Sequence, residues 1–197
     1  MCFVKNSALA GGASGRGFPG GFISSLARFM KKLLFANSSY LVQGMKLGSF
    51  SRQTAQETAL AIAAMEPWIS LGFEVSKLAG FLFARQPCTY RFHITRHGRN
   101  IGALSIRHPW LYGPYIELLA ILPDAQKKGF GKAVIDWIES EIKQEYGNIW
   151  VAASSFNEAA ISFYQKNGFC LVGSMPGLVR PGFEEKLFRK QLFRSGV

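Results

Sequence analysis

Residues 121–132 read ILPDAQKKGFGK: an apolar run ends at a proline, and a turn carrying two glycines and three lysines leads into FGKAVIDWIESEIKQEYG, where apolar residues recur at helical spacing. A strand that passes into a helix through such a turn aims several unpaired backbone N–H groups, and the positive end of the helix dipole, at one place. That place suits an anion. Gly129 and Gly131 let it approach the main chain, and Lys127, Lys128 and Lys132 add charge at the rim. Spacing excludes two familiar phosphate loops. Gly131-Lys132 is followed by Ala133, and Gln126 stands where a Walker loop needs glycine; Val134 occupies the third glycine position of a dinucleotide fingerprint.

Outward from this stretch the pattern is that of one layered domain. YIELLAILP, before the turn, is apolar on both faces except for Glu117, as a central strand covered on two sides would be. Ahead of it, TYRFHITRHGRNIGALSIRHP reads as two strands joined at RHGRN. Two helices precede that hairpin: SRQTAQETALAIAAMEPWISLGF, with a cap at Ser51 or Thr54 and an interruption at Pro67, and EVSKLAGFLF. After the turn comes an amphipathic helix of about four turns ended by Gly147. The strand NIWVAAS, the helix NEAAISFYQKNGF stopped at Gly168, and the strands CLVGSM and FEEKLFRKQLF complete the chain. The order predicts a mixed α/β (α+β) layer protein.

Two motifs, in this order, carry a resemblance. Gln126, Gly129 and Gly131 match the acyl-CoA signature of the GNAT N-acetyltransferases. Asn157, Ala160, Phe163, Tyr164, Gly168 and Phe169 are similar to the recurrent letters of that family's later helix. The likeness covers about residues 51–190. It implies the GNAT acyl-CoA N-acyltransferase fold, a central mixed, mostly antiparallel sheet flanked by helices. It further implies a pantetheine arm lying between YIELLAILP and NIWVAAS, bonded to main chain near Leu119 and Ile121. The pyrophosphate would meet the stretch from Gln126 through Lys127, Lys128, Gly129, Phe130 and Gly131 to Lys132. The implied activity is direct transfer of acetyl from acetyl-CoA to an amine of a small molecule or a protein, without a metal. A non-catalytic acyl-CoA-binding sensor or scaffold is the alternative. An ammonium must lose a proton before it attacks, and Glu117, the single carboxylate in the central strand, is the leading base; its bland counterpart is a carboxylate paired with Arg or Tyr. Tyr164 matches the family tyrosine that protonates the departing thiolate. A main-chain N–H near Leu119 or Ala120 is the expected oxyanion donor. Asn157 contacts the cofactor arm, caps its helix, or does both. Phe163 and Phe169 are expected in the core, and Trp110, Tyr112 and Tyr115 either line an acceptor pocket or pack.

The net charge of +11 divides unevenly: no Asp or Glu precedes Glu57, so the first 52 residues carry +7 and the remainder only +4. This argues against a nucleic-acid-binding protein, whose basic patch would lie on the folded domain. Residues 1–44 read as a basic, glycine-rich extension, disordered or forming an accessory helix, and residues 45–197 as the acetyltransferase domain. Within the extension GFISSLARFMKKLLF is amphipathic, too short and too charged to span a bilayer, and residues 21–35 are the one stretch suited to membrane contact. Cys2, Cys88 and Cys170 have neither disulfide nor zinc spacing, which points to a reducing, cytoplasmic setting. His93, His97 and His108 surround one hairpin and read as turn or surface residues. A homodimer is the ordinary assembly for a soluble protein of this size.

Overall fold

In the computed structural model residues 34–192 are described. Apart from Leu34 and Phe35, the amphipathic segment and the linker before it lie outside them. The chain runs β1 (Ser39–Val42), β2 (Met45–Gly48), α1 (Arg52–Ala63), α2 (Val75–Phe83), β3 (Thr89–Arg96), β4 (Arg99–Trp110) and β5 (Gly113–Ile121). After a short 3-10 turn, Pro123–Ala125, it continues with α3 (Phe130–Ile142), β6 (Asn148–Ser154), α4 (Glu158–Lys166), β7 (Cys170–Pro176) and β8 (Glu184–Gln191). The expected elements from Ser51 onward are present. Both candidate caps of α1 act together: Ser51 Oγ accepts from Thr54 N–H (3.1 Å) while Thr54 Oγ1 accepts from Ser51 N–H (2.9 Å). Helix α3 stops at Ile142, short of Gly147, because Gly147 is drawn to the sheet, its carbonyl accepting from Leu192 N–H (2.8 Å).

The boundary read at residue 45 falls inside a hairpin. β1 and β2 pair antiparallel around Gln43 and Gly44, whose φ angles of 45° and 78° make the tight two-residue turn. Leu34, Phe35 and Val42 are buried, so residues 34–44 belong to the folded body rather than to an extension. Phe35 and Tyr40 stack against Trp137 of α3, with ring centroids 5.5 and 4.8 Å apart. The hairpin therefore braces the helix that opens at the lysine-glycine turn.

Among the described residues eight strands form one sheet in the order β1-β2-β3-β4-β5-β6-β8-β7, antiparallel throughout except for the parallel pair β5 and β6. One face packs on α3 through residues such as Ile94, Leu104, Val134 and Ile138; the other packs on α1 and α2 through Ala103, Leu118, Ala120, Ile62 and Leu82. This is the mixed, mostly antiparallel, helix-flanked sheet expected from the sequence. Among the described residues no helix is long and apolar enough to cross a membrane.

The central pair is irregular where it matters. β4 and β5 pair Ser105 with Leu118 and Ile106 with Ile116, which leaves Glu117 as the extra residue of a β-bulge. β5 and β6 pair only through Tyr115 with Trp150 and Ile116 with Val151. At the closed end of this V, Gly113 lies on the backbone of Asn148, where a Cβ would fall on the Asn148 carbonyl oxygen. Beyond Ile116 the two strands separate, and main-chain groups of β5 face open space.

Candidate functional site

At the N-terminus of α3 the sequence builds its anion seat with local chemistry. Lys127 and Gly129 adopt left-handed φ angles of 59° and 84°, which turn the chain sharply into the helix. The first bond of the helix runs from Ala133 N–H to Gly129 O (3.0 Å), so the amides of Phe130, Gly131 and Lys132 are those a helix leaves unpaired at its start. Gln126 serves as a brace: its N–H donates to Pro123 O (3.1 Å) and its Nε2 to Ile121 O (2.9 Å), tying the turn to the end of β5. The donors for an anion therefore begin after Gln126.

A cleft of about 790 Å³ runs from this seat between the end of β5 and α4. Leu119, Ala120, Ile121, Gln126, Lys127, Gly129, Phe130, Gly131, Lys132, Asn157 and Tyr164 all line it. Lys128 does not; its Nζ turns back to the Asp124 carbonyl (2.7 Å). Lys132 lines the wall but spends charge on Asp136 (2.7 Å). Asn157 caps α4, Oδ1 accepting from Ala160 N–H (3.1 Å), and the residue also borders the cleft. Phe163 is a wall of the cleft facing Gly131, whereas Phe169 is buried.

Where the strands part, a smaller cavity of about 150 Å³ lies between Glu117, Leu118 and Leu119 of β5 and Val151 to Ser154 of β6. Tyr164, Asn157 and Ala160 border both spaces, so cleft and cavity share a wall. Tyr164 is buried against Phe163, Phe169 and Phe188. Burial, reinforced by the nearby Tyr115, pushes its phenol well above the ordinary range, so it stays a hydrogen-bond donor at any physiological pH.

Glu117 reaches the same cavity, but both its oxygens are taken: Oε1 accepts from Arg107 Nε (2.7 Å) and Oε2 from Ser105 Oγ (2.9 Å). The paired-carboxylate reading thus describes its immediate surroundings. On its far side is a third hollow of about 480 Å³, with Leu71, Phe73 and Phe81 among its apolar walls and Glu74, Lys77, Arg180 and Tyr115 as polar groups. Of the three aromatics proposed around it, Tyr115 lines it, Trp110 stacks between Tyr115 (4.9 Å) and Trp150 (5.4 Å), and Tyr112 is exposed. Burial, then the charges of Glu117 and Glu185, push Tyr115 up to about 12.

Sequence reasoning missed Glu185. This β8 residue is 5% exposed, accepts from Ser154 Oγ (2.7 Å), and borders the same small cavity as Tyr164 and Glu117. Its signal was a carboxylate inside an alternating strand, one of two adjacent glutamates. Trp68, from the segment after α1, borders all three spaces and was also unremarked. Among the described residues no group of three His, Cys, Asp or Glu is arranged to hold a metal.

Burial raises the Glu185 carboxyl above its ordinary value of 4.5, with the Ser154 hydroxyl opposing part of the shift. The folded chain then takes up this proton more readily than the unfolded one. The associated stability is fully present below pH 4.5 and is lost as pH rises through the folded-state value. Glu185→Gln, which cannot ionise, is expected to melt with the parent near pH 4 and above it toward neutrality, as read by scanning fluorimetry. A parent that gains on the variant with rising pH would contradict the burial argument.

A family model described as the acetyltransferase (GNAT) family matches residues 53–169. Among curated proteins, the chain is 29% identical over 79 residues to the [ribosomal protein bS18]-alanine N-acetyltransferase of Escherichia coli K12, covering 40% of this chain and 53% of that protein. It thus spans about half the length of the curated relatives it matches. Solved structures share the fold: an acetyltransferase from Thermus thermophilus (TM-score 0.62, 17% identity, 78% of this chain and 100% of that one) is one. The ribosomal-protein-S18-alanine N-acetyltransferase of Escherichia coli (TM-score 0.59, 16% identity, 77% and 96%) is another.

Proposed function

Because the chain belongs to the GNAT acetyltransferase family, we propose that it moves an acetyl group from acetyl-CoA directly to an amine of a small molecule or a protein. The observation that carries this reading is the continuity of three spaces. The anion seat on α3 leads into the cleft, the cleft shares Tyr164 with the cavity at the strand gap, and Glu117 and Trp68 connect that cavity to the third hollow. The residues fit a long acylated thioester ending in phosphates. The amides of Phe130 to Lys132 hold its diphosphate, and the edge of β5 turned away from β4, at Leu119 and Ile121, hydrogen-bonds its pantetheine arm as an added strand would, Ala120 directing its carbonyl toward β4.

Each step then falls to a group of the chain. A main-chain N–H of β5 beyond Ile116 holds the developing oxyanion. Tyr164 gives its hydroxyl proton to the departing sulfur. Proton uptake from the amine falls to one of the two carboxylates at the gap, Glu117 or Glu185. The acceptor approaches from the side of the third hollow, where apolar walls surround the aliphatic or aromatic part of an amine and the carboxylates receive its positive end.

Calorimetric titration with acetyl-CoA, followed by a thiol-release assay over an alanine-initiated peptide, a lysine peptide and spermidine, tests the reading. Saturable binding and thiol release with at least one amine are expected. A native protein that takes up no acetyl-CoA overturns it; binding without release for any amine favours the sensor or scaffold alternative.

A further inference from the structure

Resting on that reading, we propose that Glu185, and not Glu117, is the proton acceptor for the incoming amine. The argument begins with what each carboxylate has left to offer. Glu117 is held on both oxygens, by the Arg107 guanidinium and the Ser105 hydroxyl, and a proton could reach it only by displacing one of these bonds. Its position as the extra residue of the bulge gives it a different role, since with Arg107 it fixes the bend that parts β5 from β6. Glu185 stands across the gap, and among the described residues no cation pairs with it. Its hydrogen-bond partner is the single hydroxyl of Ser154 (2.7 Å), the residue paired with it on β6.

Position agrees with this division. Glu185 and Tyr164 border one cavity of about 150 Å³, so a donor for the leaving sulfur and an acceptor for the entering nitrogen meet at one small space. Among the described residues, the titratable groups that line it with Glu185 are Glu117 from β5, with Arg107 behind it on β4, and Tyr164 from α4, while Tyr115, in the third hollow, feels the charge of Glu185. Burial disfavours the ionised form of Glu185, which makes it a stronger base than a solvated carboxylate.

The proton balance closes with these two groups. An ammonium gives one proton to Glu185, and its nitrogen lone pair forms the bond to the thioester carbonyl carbon. As the carbon–sulfur bond breaks, sulfur takes a proton from Tyr164, and Tyr164 is refilled by the second proton lost from nitrogen. Ammonium and acetyl-CoA have become acetamide, coenzyme A thiol and one proton, which leaves Glu185 to solvent.

The test uses the full chain and the first amine of the panel that the parent acetylates, with Glu185→Gln and Glu117→Gln made side by side. Glu185→Gln is expected to lose about 10²-fold in kcat at pH 7 with unchanged calorimetric affinity for acetyl-CoA. The deficit should shrink as pH rises through the pKa of that amine, about 8 for a peptide α-amine and about 10 for a lysine, above which it arrives deprotonated. Glu185→Asp should recover part of the loss. Glu117→Gln, which removes the Arg107 ion pair but not the base, should lower kcat by the same factor at every pH and keep the shape of the parent's pH profile. A deficit in Glu185→Gln that is the same at every pH, or a pH-dependent loss in Glu117→Gln instead, overturns the assignment. A parent that acetylates no amine refutes the function on which it rests, a result distinct from either.

Discussion

Tyr164→Phe is expected to lower kcat by about 10²-fold while leaving acetyl-CoA affinity nearly unchanged. Phenylalanine fills the same space among Phe163, Phe169 and Phe188, so what is removed is one hydroxyl. In the parent that hydroxyl stays protonated because burial opposes its ionisation, and it stands where cleft and strand gap meet. Without it the thiolate must leave unprotonated into a space poor in water, a species that enclosure makes less stable. Steady-state thiol release gives kcat, and calorimetry gives affinity. Retention of full kcat would reduce Tyr164 to a packing residue, while an equal loss of affinity would place its effect in binding.

Gly131→Asp should weaken acetyl-CoA binding by at least about 10²-fold. A carboxylate in the first turn of α3 can accept bonds from the helix's own leading amides, which favours the helix by about 0.3–1 kcal/mol. The same carboxylate competes for the donors that would seat a diphosphate. Losing two charge-assisted bonds of about 1.5–3 kcal/mol each accounts for the predicted effect. Sterics also contribute, since a Cβ at residue 131 would lie 3.1 Å from the Phe163 ring. Gly131→Ala separates the two causes, bringing the contact without the charge. Calorimetry on both variants decides: a much larger loss for Asp, with no drop in melting temperature, supports an anion seat, and equal losses would leave only crowding.

Different parts of this molecule were legible in its sequence to different degrees. The lysine-glycine turn could be read because its chemistry is contiguous: the strand, the left-handed glycine and the helix start lie within a dozen residues. Helix α1 announced its cap through Ser51 and Thr54 for the same reason. The hairpin of β1 and β2 escaped because four-residue strands hold too few positions to show alternation, and its Gln43-Gly44 turn is a weak form of the hairpin signal. The turn of Lys128 back to the Asp124 carbonyl was not legible, because sequence gives a charge but not the direction in which a long side chain turns. Glu185 was invisible for a topological reason. β8 inserts between β6 and β7, which places a residue from the end of the chain beside Ser154 and near a site otherwise built from the middle of the sequence.

The aromatic brace behind α3 has a consequence for the segment ahead of Met45. Phe35 and Tyr40 press on Trp137, and the other end of that helix is the seat for the diphosphate. Free-energy coupling is reciprocal: if loosening the hairpin weakens ligand capture, capture must tighten the hairpin by the same amount. Occupancy at the glycine turn would then be felt on the opposite flank, as slower protease cutting or slower amide exchange around Leu34 to Val42.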